Sequence, residues 1–296
     1  MTETMALIGL GSMGYGMAQS LLRAGHAVYG ADIAPAPMAR FQTEGGLAER
    51  PEAIDSLVIA VLNAAQTEAV LFGPDGWAQS LRPGGTVIAC ATVPPSFARA
   101  MAARCAEAGL HYLDAPISGG AAKAAQGALS IMAAGSAEAF TGAGPALEAM
   151  AETVFGLGPE PGAGSAMKAI NQMLAGTHIA AMAEAVTFGM TQGVDPAKTV
   201  EVISKCAGSS WMFENRAPHI VDGDYTPRSS VNIWPKDLGI VLDIAAEAKF
   251  SAPLTAAALQ QFMAAAGSGL GAEDDAAVAK IYARNAGLTL PGDTQS

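Results

Sequence analysis

Three groups of residues in this chain have types and spacings suited to chemistry. The first centres on Lys168, in the opening turns of a long apolar stretch, with Asn171 and Gln172 at i+3 and i+4 on the same side of a helix. A cation near a helix N-terminus is electrostatically misplaced, and that positive end favours the neutral amine. Such a lysine suits proton exchange near neutral pH; on pattern alone, a solvated surface lysine is the competing reading. The second group is Asp114-Ala-Pro-Ile-Ser118-Gly119-Gly120, where a hydroxyl and exposed backbone N–H groups offer a nest for a carboxylate, or else form a plain connecting loop. The third is Gly9-Leu-Gly11-Ser12-Met13-Gly14, with Asp32 lying 21 residues beyond Gly11. Here Gly9 makes a tight turn, Gly11 lets a pyrophosphate approach the backbone, and Gly14 lets a helix pack closely on a strand. The pyrophosphate would sit at the helix N-terminus, and Asp32 would accept hydrogen bonds from an adenosine ribose.

Positioning these groups requires a strand, a helix and a second strand around the glycines. Met5 to Leu10 reads as a buried strand, a helical pattern follows to Ala24, and Ala27 to Ala31 is the second strand, ending in Asp32. Further strands at 56–61, 86–89, 112–115, 129–134 and 154–155 alternate with helices at 37–44, 64–72, 96–109 and 139–151. That alternation predicts a parallel, doubly wound α/β sheet with helices on both faces. Ligands bind such sheets at the carboxyl ends of the strands, where Asn63, Thr92 and Asp114 to Ser118 fall; Thr92 reads equally as a helix cap. The Pro/Gly cluster from Gly156 to Gly162 separates a first domain, 1–162, from a second, 163–296. The second is read as all helix: one element of almost thirty residues from Gly164 to about Gln192, then helices at 196–207, within 229–250, at 253–266 and at 275–284. Asp275 is the expected N-cap of the last, and 288–296 the expected frayed tail.

Of 296 residues, 51% are hydrophobic and 15% charged, enough for sizeable cores in about two domains. A formal charge of −11 argues against nucleic acid or an anionic membrane as the main partner. Cys90, Cys105 and Cys206 have no pairing or metal spacing and read as small buried hydrophobes of a reduced compartment; no metal is implied. With no signal-peptide pattern and no membrane span, the expected location is cytoplasmic.

Taken in order, Gly9-Leu-Gly-Ser-Met-Gly14, Asp114-Ala-Pro-Ile-Ser-Gly-Gly120, Gly164-Ser-Ala-Met-Lys-Ala-Ile-Asn171 and Lys236-Asp-Leu238 make the chain resemble the β-hydroxyacid dehydrogenase family across residues 5–285. That family includes 3-hydroxyisobutyrate, tartronate semialdehyde and 6-phosphogluconate dehydrogenases. The resemblance implies a Rossmann domain joined to a helical domain through the long helix, with the active site in the cleft between them. It implies Lys168 as catalytic acid/base, and Ser118, Gly119 and Gly120 as binders of a substrate carboxylate. Asn171 would hold substrate and lysine, while Lys236, Thr92, Leu62 and Asn63 would line the cofactor and substrate pocket. It also implies a homodimer or homotetramer, and the long hydrophobic helix and Ala/Met-rich second domain suggest burial against another subunit.

The chain departs from the family pattern at Lys123, where Gly is frequent, at Ala128 for Thr, and at Ala91 for Ser. Lys123 would add positive charge near the substrate. Members using the phosphorylated cofactor commonly carry Asn-Arg after the second strand; here Asp32-Ile33 offers a carboxylate and no cation, so NAD is expected. Residues 210–228, with Asn215, Arg216, His219 and Tyr225, resemble the L-threonate dehydrogenase subgroup. They suggest donors and acceptors for a polyhydroxylated acid, or a helix connection serving packing or a subunit contact. The expected reaction is oxidation of a small anionic hydroxy acid, with L-threonate at C2 first, and 3-hydroxyisobutyrate or tartronate semialdehyde as rivals. Outside enzymes, the rival is a catalytically silent cofactor-binding module.

Overall fold

A computed structural model describes residues 2–292, which divide into two compact units, one ending at Lys168 and one beginning at Ala169. In the first, five parallel strands, β1 (Thr4–Ile8), β2 (Ala27–Ala31), β3 (Ile54–Ile59), β4 (Leu81–Ala89) and β5 (His111–Asp114), form one sheet in the order β2-β1-β3-β4-β5. Alternate residues of each strand enter two apolar layers. Met5, Leu7, Val58, Ile88 and Leu113 face one side, and Ala6, Ile8, Leu57, Ile59 and Val87 the other. Strands buried on both faces read as unbroken apolar runs, which is why they were legible. The helices between them are α1 (Gly14–Arg23), α2 (Pro35–Thr43), α3 (Ala64–Phe72) and α4 (Pro95–Glu107). The chain order reverses about β1, so β1 and β3 flank the topological switch point where such sheets bind ligands.

The later strands leave this sheet. β6 (Ile117–Ser118), β7 (Leu129–Ala133) and β8 (Ala151–Gly156) make a second, three-stranded sheet, with β6 antiparallel to β7 and β8 parallel to it. Reciprocal hydrogen bonds between Asp114 and Ala134 tie it to the end of β5. Between β6 and β7 lies α5 (Gly120–Gln126), where the sequence suggests only a loop: six residues of Ala, Lys and Gln continue a helix once Gly119 (φ 136°) and Gly120 (φ 77°) have made the turn. α6 (Ala137–Met150), capped by Ser136, covers the sheet.

The helix α7 (Ala163–Thr191) runs 29 residues and ends at Gly193, in the left-handed region. Beyond it the second unit comprises α8 (Pro196–Ile203), α9 (Trp211–Asp222), α10 (Ile233–Glu247), α11 (Pro253–Ala265) and α12 (Ala279–Asn285). Its core gathers Ile179, Met182, Val186, Phe213, Ile220, Trp234, Leu238, Phe262 and Ile281. Four expectations fail here. Residues 211–222, read as a connection between helices, themselves form a helix, initiated by Ser210 accepting from Phe213 N–H. Asp274, one residue early, is the cap of the short 3₁₀ turn that precedes α12, while Asp275 is wholly buried. The segment from 288 packs instead of fraying, with Leu290 only 2% exposed; residues 293–296 lie outside the described part. Cys206 is exposed, against expectation, whereas Cys90 and Cys105 are buried. Among the described residues no helix is long and apolar enough to cross a membrane.

A buried polar network explains the misread segment. Arg216 Nε donates to Asp275 Oδ1 at 2.6 Å, and Trp234 Nε1 to Asp275 Oδ2 at 3.0 Å. Asn215 Oδ1 accepts from the Arg216 guanidinium, and His219 Nδ1 lies 2.8 Å from Asp274 Oδ1. Burial works to raise the Asp274 carboxyl, but hydrogen bonds from His219 and from the backbone of Arg228 and Ala276 win, holding it down at about 2. Burial pushes Asp275 up in spite of Arg216. Tyr225 lies under the Lys280 ammonium at 4.2 Å. Arg216 and His219, at 9% and 2% exposure, belong to the core of this unit.

Candidate active site

The glycine-rich turn between β1 and α1 is built on contacts that leave no room for side chains. A Cβ at Gly9 would lie 2.5 Å from Ala60 O, and one at Gly14 would lie 1.8 Å from Gly9 O. Gly9 is also at φ 101°, which L residues rarely adopt. A Cβ at Gly11 would meet nothing within 4 Å, so its backbone faces open space beside the N-terminus of α1. Ser12 is exposed and Met13, at the N-cap, is half-buried. Asp32 follows β2 with both oxygens engaged: Leu10 N–H donates to Oδ2 at 2.6 Å and Ala34 N–H to Oδ1 at 2.9 Å. Each oxygen keeps a lone pair for a further donor. Ile33 is 99% exposed, so no cation follows Asp32.

A cleft of about 660 Å³ opens beside this turn, with Gly11, Ser12, Tyr15, Pro37 and Arg40 in its wall. Arg40 stands over the Tyr15 ring at 4.6 Å and pairs with Glu44 at 2.9 Å. The sequence reading missed both residues. Their signal was a tyrosine and an arginine on the faces of consecutive helices, which periodicity alone does not pair. A glycine cradle that a Cβ would fill, an exposed backbone at a helix N-terminus and a ribose-reading carboxylate together fit a dinucleotide without a 2′-phosphate.

At the ends of β3 and β4, Leu62 is 53% exposed and Asn63 caps α3, its Oδ1 accepting from Gln66 N–H. Thr92 is half-buried; the cap of α4 is Pro94, so Thr92 is not a helix cap. Ser118 sits in β6 opposite Ser130. Lys123 pairs with Glu152 at 3.2 Å on the surface, which offsets the charge it was expected to add.

Lys168 is not a solvated lysine: it is only 9% exposed, and its Nζ donates to Ile117 O at 2.8 Å. That bond brings the amine beside Ser118, so the two motifs meet within the first unit. The turn that carries Lys168 is itself held by Asp114. Gly162 N–H and Ser165 N–H each donate to Asp114 Oδ2 at 2.8 Å, and Ser165 Oγ to Oδ1 at 2.7 Å. A Cβ at Gly164 would lie 2.5 Å from Met132 O and 2.6 Å from Asp114 O, so only glycine lets α7 start so close to β5 and β7. In the second unit Asn171 Nδ2 donates to Gln172 Oε1 at 2.9 Å, Gln172 donates on to Asp237, and Lys236 Nζ lies 2.6 Å from Asp237 Oδ1.

Two family models match the chain in sequence. Residues 4–158 match the NAD binding domain of 6-phosphogluconate dehydrogenase, and residues 162–282 the NAD-binding domain of NADP-dependent 3-hydroxyisobutyrate dehydrogenase. An L-threonate dehydrogenase of Cupriavidus necator is 53% identical, covering 100% of both chains. That of Escherichia coli K12 is 46% identical over 97% of this chain and 96% of its own. The crystal structure of a 3-hydroxyisobutyrate dehydrogenase from Salmonella typhimurium superposes with a TM-score of 0.89 at 47% identity, covering 94% of this chain and 99% of that one.

Proposed function

The chain belongs to the β-hydroxyacid (3-hydroxyisobutyrate-type) dehydrogenase family, and on that premise we propose that it oxidises L-threonate at C2 to the 2-oxo acid. It is an NAD-dependent oxidoreductase acting on a CH–OH group. NAD, when bound, takes up the hydride from the carbinol carbon. We assign the Gly9, Gly11, Ser12, Met13 and Gly14 turn to its pyrophosphate, Asp32 to its adenosine ribose, and Leu62, Asn63 and Thr92 to the strand ends that it passes.

Ser118 Oγ and the backbone of Gly119 and Gly120 hold the substrate carboxylate, which fixes the carbinol relative to the nicotinamide. Neutral Lys168 accepts the hydroxyl proton as the hydride leaves. The observation that best supports this reading is the buried Lys168 amine beside the Ser118 segment, 2.8 Å from Ile117 O. Asn171 and Lys236 are assigned to substrate and cofactor by their motif positions.

The choice of L-threonate rests on the relatives named above. Arg216 and His219 do not support it, since both are buried in the core of the helical unit. A second reading, 3-hydroxyisobutyrate, is favoured by the likeness to the Salmonella 3-hydroxyisobutyrate dehydrogenase. Absorbance at 340 nm separates them: L-threonate should exceed D-threonate, D-erythronate, 3-hydroxyisobutyrate and glycerate in kcat/KM by about 10²-fold. A lead for 3-hydroxyisobutyrate would overturn the substrate but keep the family. With NADP in place of NAD, kcat/KM should fall steeply, because a 2′-phosphate meets the Asp32 carboxylate, while Arg40, the cation in the cleft wall, is paired with Glu44.

We further propose that the enzyme assembles through α7. Met167, Ile170, Leu174, Ala181, Ala185 and Phe188 are exposed and recur at intervals of three, four and seven, one face of a helix along its length. Ile170 and Leu174 are 53% exposed and Phe188 64%. An apolar stripe of about 30 Å on a helix suits the same stripe of a second copy. Light scattering should give a mass of at least two chains, and Leu174→Glu should lower it; a wild-type monomer at micromolar concentration would remove the proposal.

A further inference from the structure

The motif residues Asp114, Gly164 and Ser165 have no place in the chemistry above, yet their side chains or Cα atoms are among the most closely held in the first unit. Asp114 and Ser165 are each 1% exposed. Donors from Gly162, Ser165 and the Ser165 hydroxyl converge on one carboxylate at 2.7–2.8 Å, an arrangement that suits its ionised form. Burial alone raises the Asp114 carboxyl, and those hydrogen bonds pull it part of the way back. Two titratable groups that feel its charge are the Tyr112 hydroxyl on β5 and the Cys90 thiol after β4. Both are raised, chiefly by burial, and stay neutral in the physiological range.

We propose that Asp114 and Ser165 are positioning residues for Lys168, clamping the first turn of α7 to the end of β5 so that the amine meets the Ser118 segment in one fixed place. The geometry is a pair of rungs. Asp114 grips α7 at Gly162 and Ser165, and three residues further along each strand of the clamp Ile117 O receives Lys168 Nζ. Rotating or lifting the first turn would carry Lys168 with it, and a displacement of about 1 Å at a reacting group costs about 10²-fold in rate. The carboxylate also offsets the positive end of α7.

This inference rests on Lys168 being the base, and the test separates the two. In the full-length enzyme, Lys168→Ala must first abolish oxidation; if it does not, the assignment of the base fails, and the clamp with it. With that result in hand, Asp114→Asn should lower kcat about 10–100-fold with NADH affinity within about twofold of wild type. Ser165→Ala keeps the carboxylate and should lower kcat about threefold to tenfold, and Ser165→Thr should restore most of the loss. Should Asp114→Asn fail to fold, the Ser165 pair decides. Wild-type kcat in Ser165→Ala, a loss confined to KM, or no restoration by Ser165→Thr would overturn the clamp while leaving Lys168 as base.

Discussion

Replacing Lys168 by Ala should lower kcat for L-threonate by about 10²–10⁴-fold and leave the Kd for NADH within about twofold. The expectation follows from where the amine sits. It is buried, fixed on Ile117 O and beside Ser118, and the cofactor turn at Gly9 to Gly14 is made by other residues. Lys168→Arg sharpens the test. A guanidinium keeps the charge and the donors but does not deprotonate in proteins, so it should be as inactive as alanine. If charge or hydrogen bonding alone were the contribution, the arginine variant would recover much of the rate. A pre-steady-state burst of NADH would further separate the proton-transfer step from product release. Activity within tenfold of wild type in Lys168→Ala would assign the base elsewhere.

The second large effect is on stability. Arg216→Met should destabilise the helical unit by about 3–5 kcal/mol, because Asp275 is left fully buried with only the Trp234 N–H as side-chain donor. The sign of the pH dependence follows from burial. Burial already pushes the Asp275 carboxyl above its usual range while Arg216 pulls it down. Without Arg216 its folded-state pKa rises further above the unfolded value. A raised carboxyl favours folding least when it must ionise, so the variant should lose stability as pH climbs from about 4 to 7. Urea unfolding at pH 5 and pH 7 measures this directly. Adding Asp275→Asn to Arg216→Met should recover part of the loss and flatten the pH dependence; a loss below about 1 kcal/mol in the single variant would show that the ion pair contributes little.

What was legible in the sequence was local. Gly9, Gly11, Gly14 and Asp32 lie within a single strand–helix–strand unit, so spacing alone placed them. The 29 residues of α7 between a Pro/Gly cluster and Gly193 were equally plain. The parallel sheet announced itself through strands apolar on both faces. The second sheet did not, because Ile117 and Ser118 make a two-residue strand whose partner, β7, comes a dozen residues later. The polarity of α9 was visible but its direction was not. Arg216 and His219 find Asp275 and Asp274 at separations of 59 and 55 residues, and no helical period reports partners so distant. The same distance hid the exchange of roles between Asp274 and Asp275. Two adjacent acids before a helix are locally equivalent, and only the buried arginine distinguishes them. For the active site, the motifs indicated Ser118 and Lys168 separately, and the Asp114 contacts that bring them together span 48–51 residues.

Sulfur is distributed so that it can report on unfolding. Burial, reinforced at Cys90 by the nearby Asp114 charge, holds the Cys90 and Cys105 thiols at about 12, while Cys206 is exposed past the end of α8. The thiolate is the nucleophile that attacks an alkylating reagent, so a buried thiol held in its protonated form is inert. The native chain therefore offers iodoacetamide a single accessible thiol, and the unfolded chain offers three. Counting adducts by intact mass against time converts every excursion that uncovers the strands of the first unit into a permanent mark. The interior of the sheet thus keeps its own record of how often it opens, with no probe introduced and no residue changed.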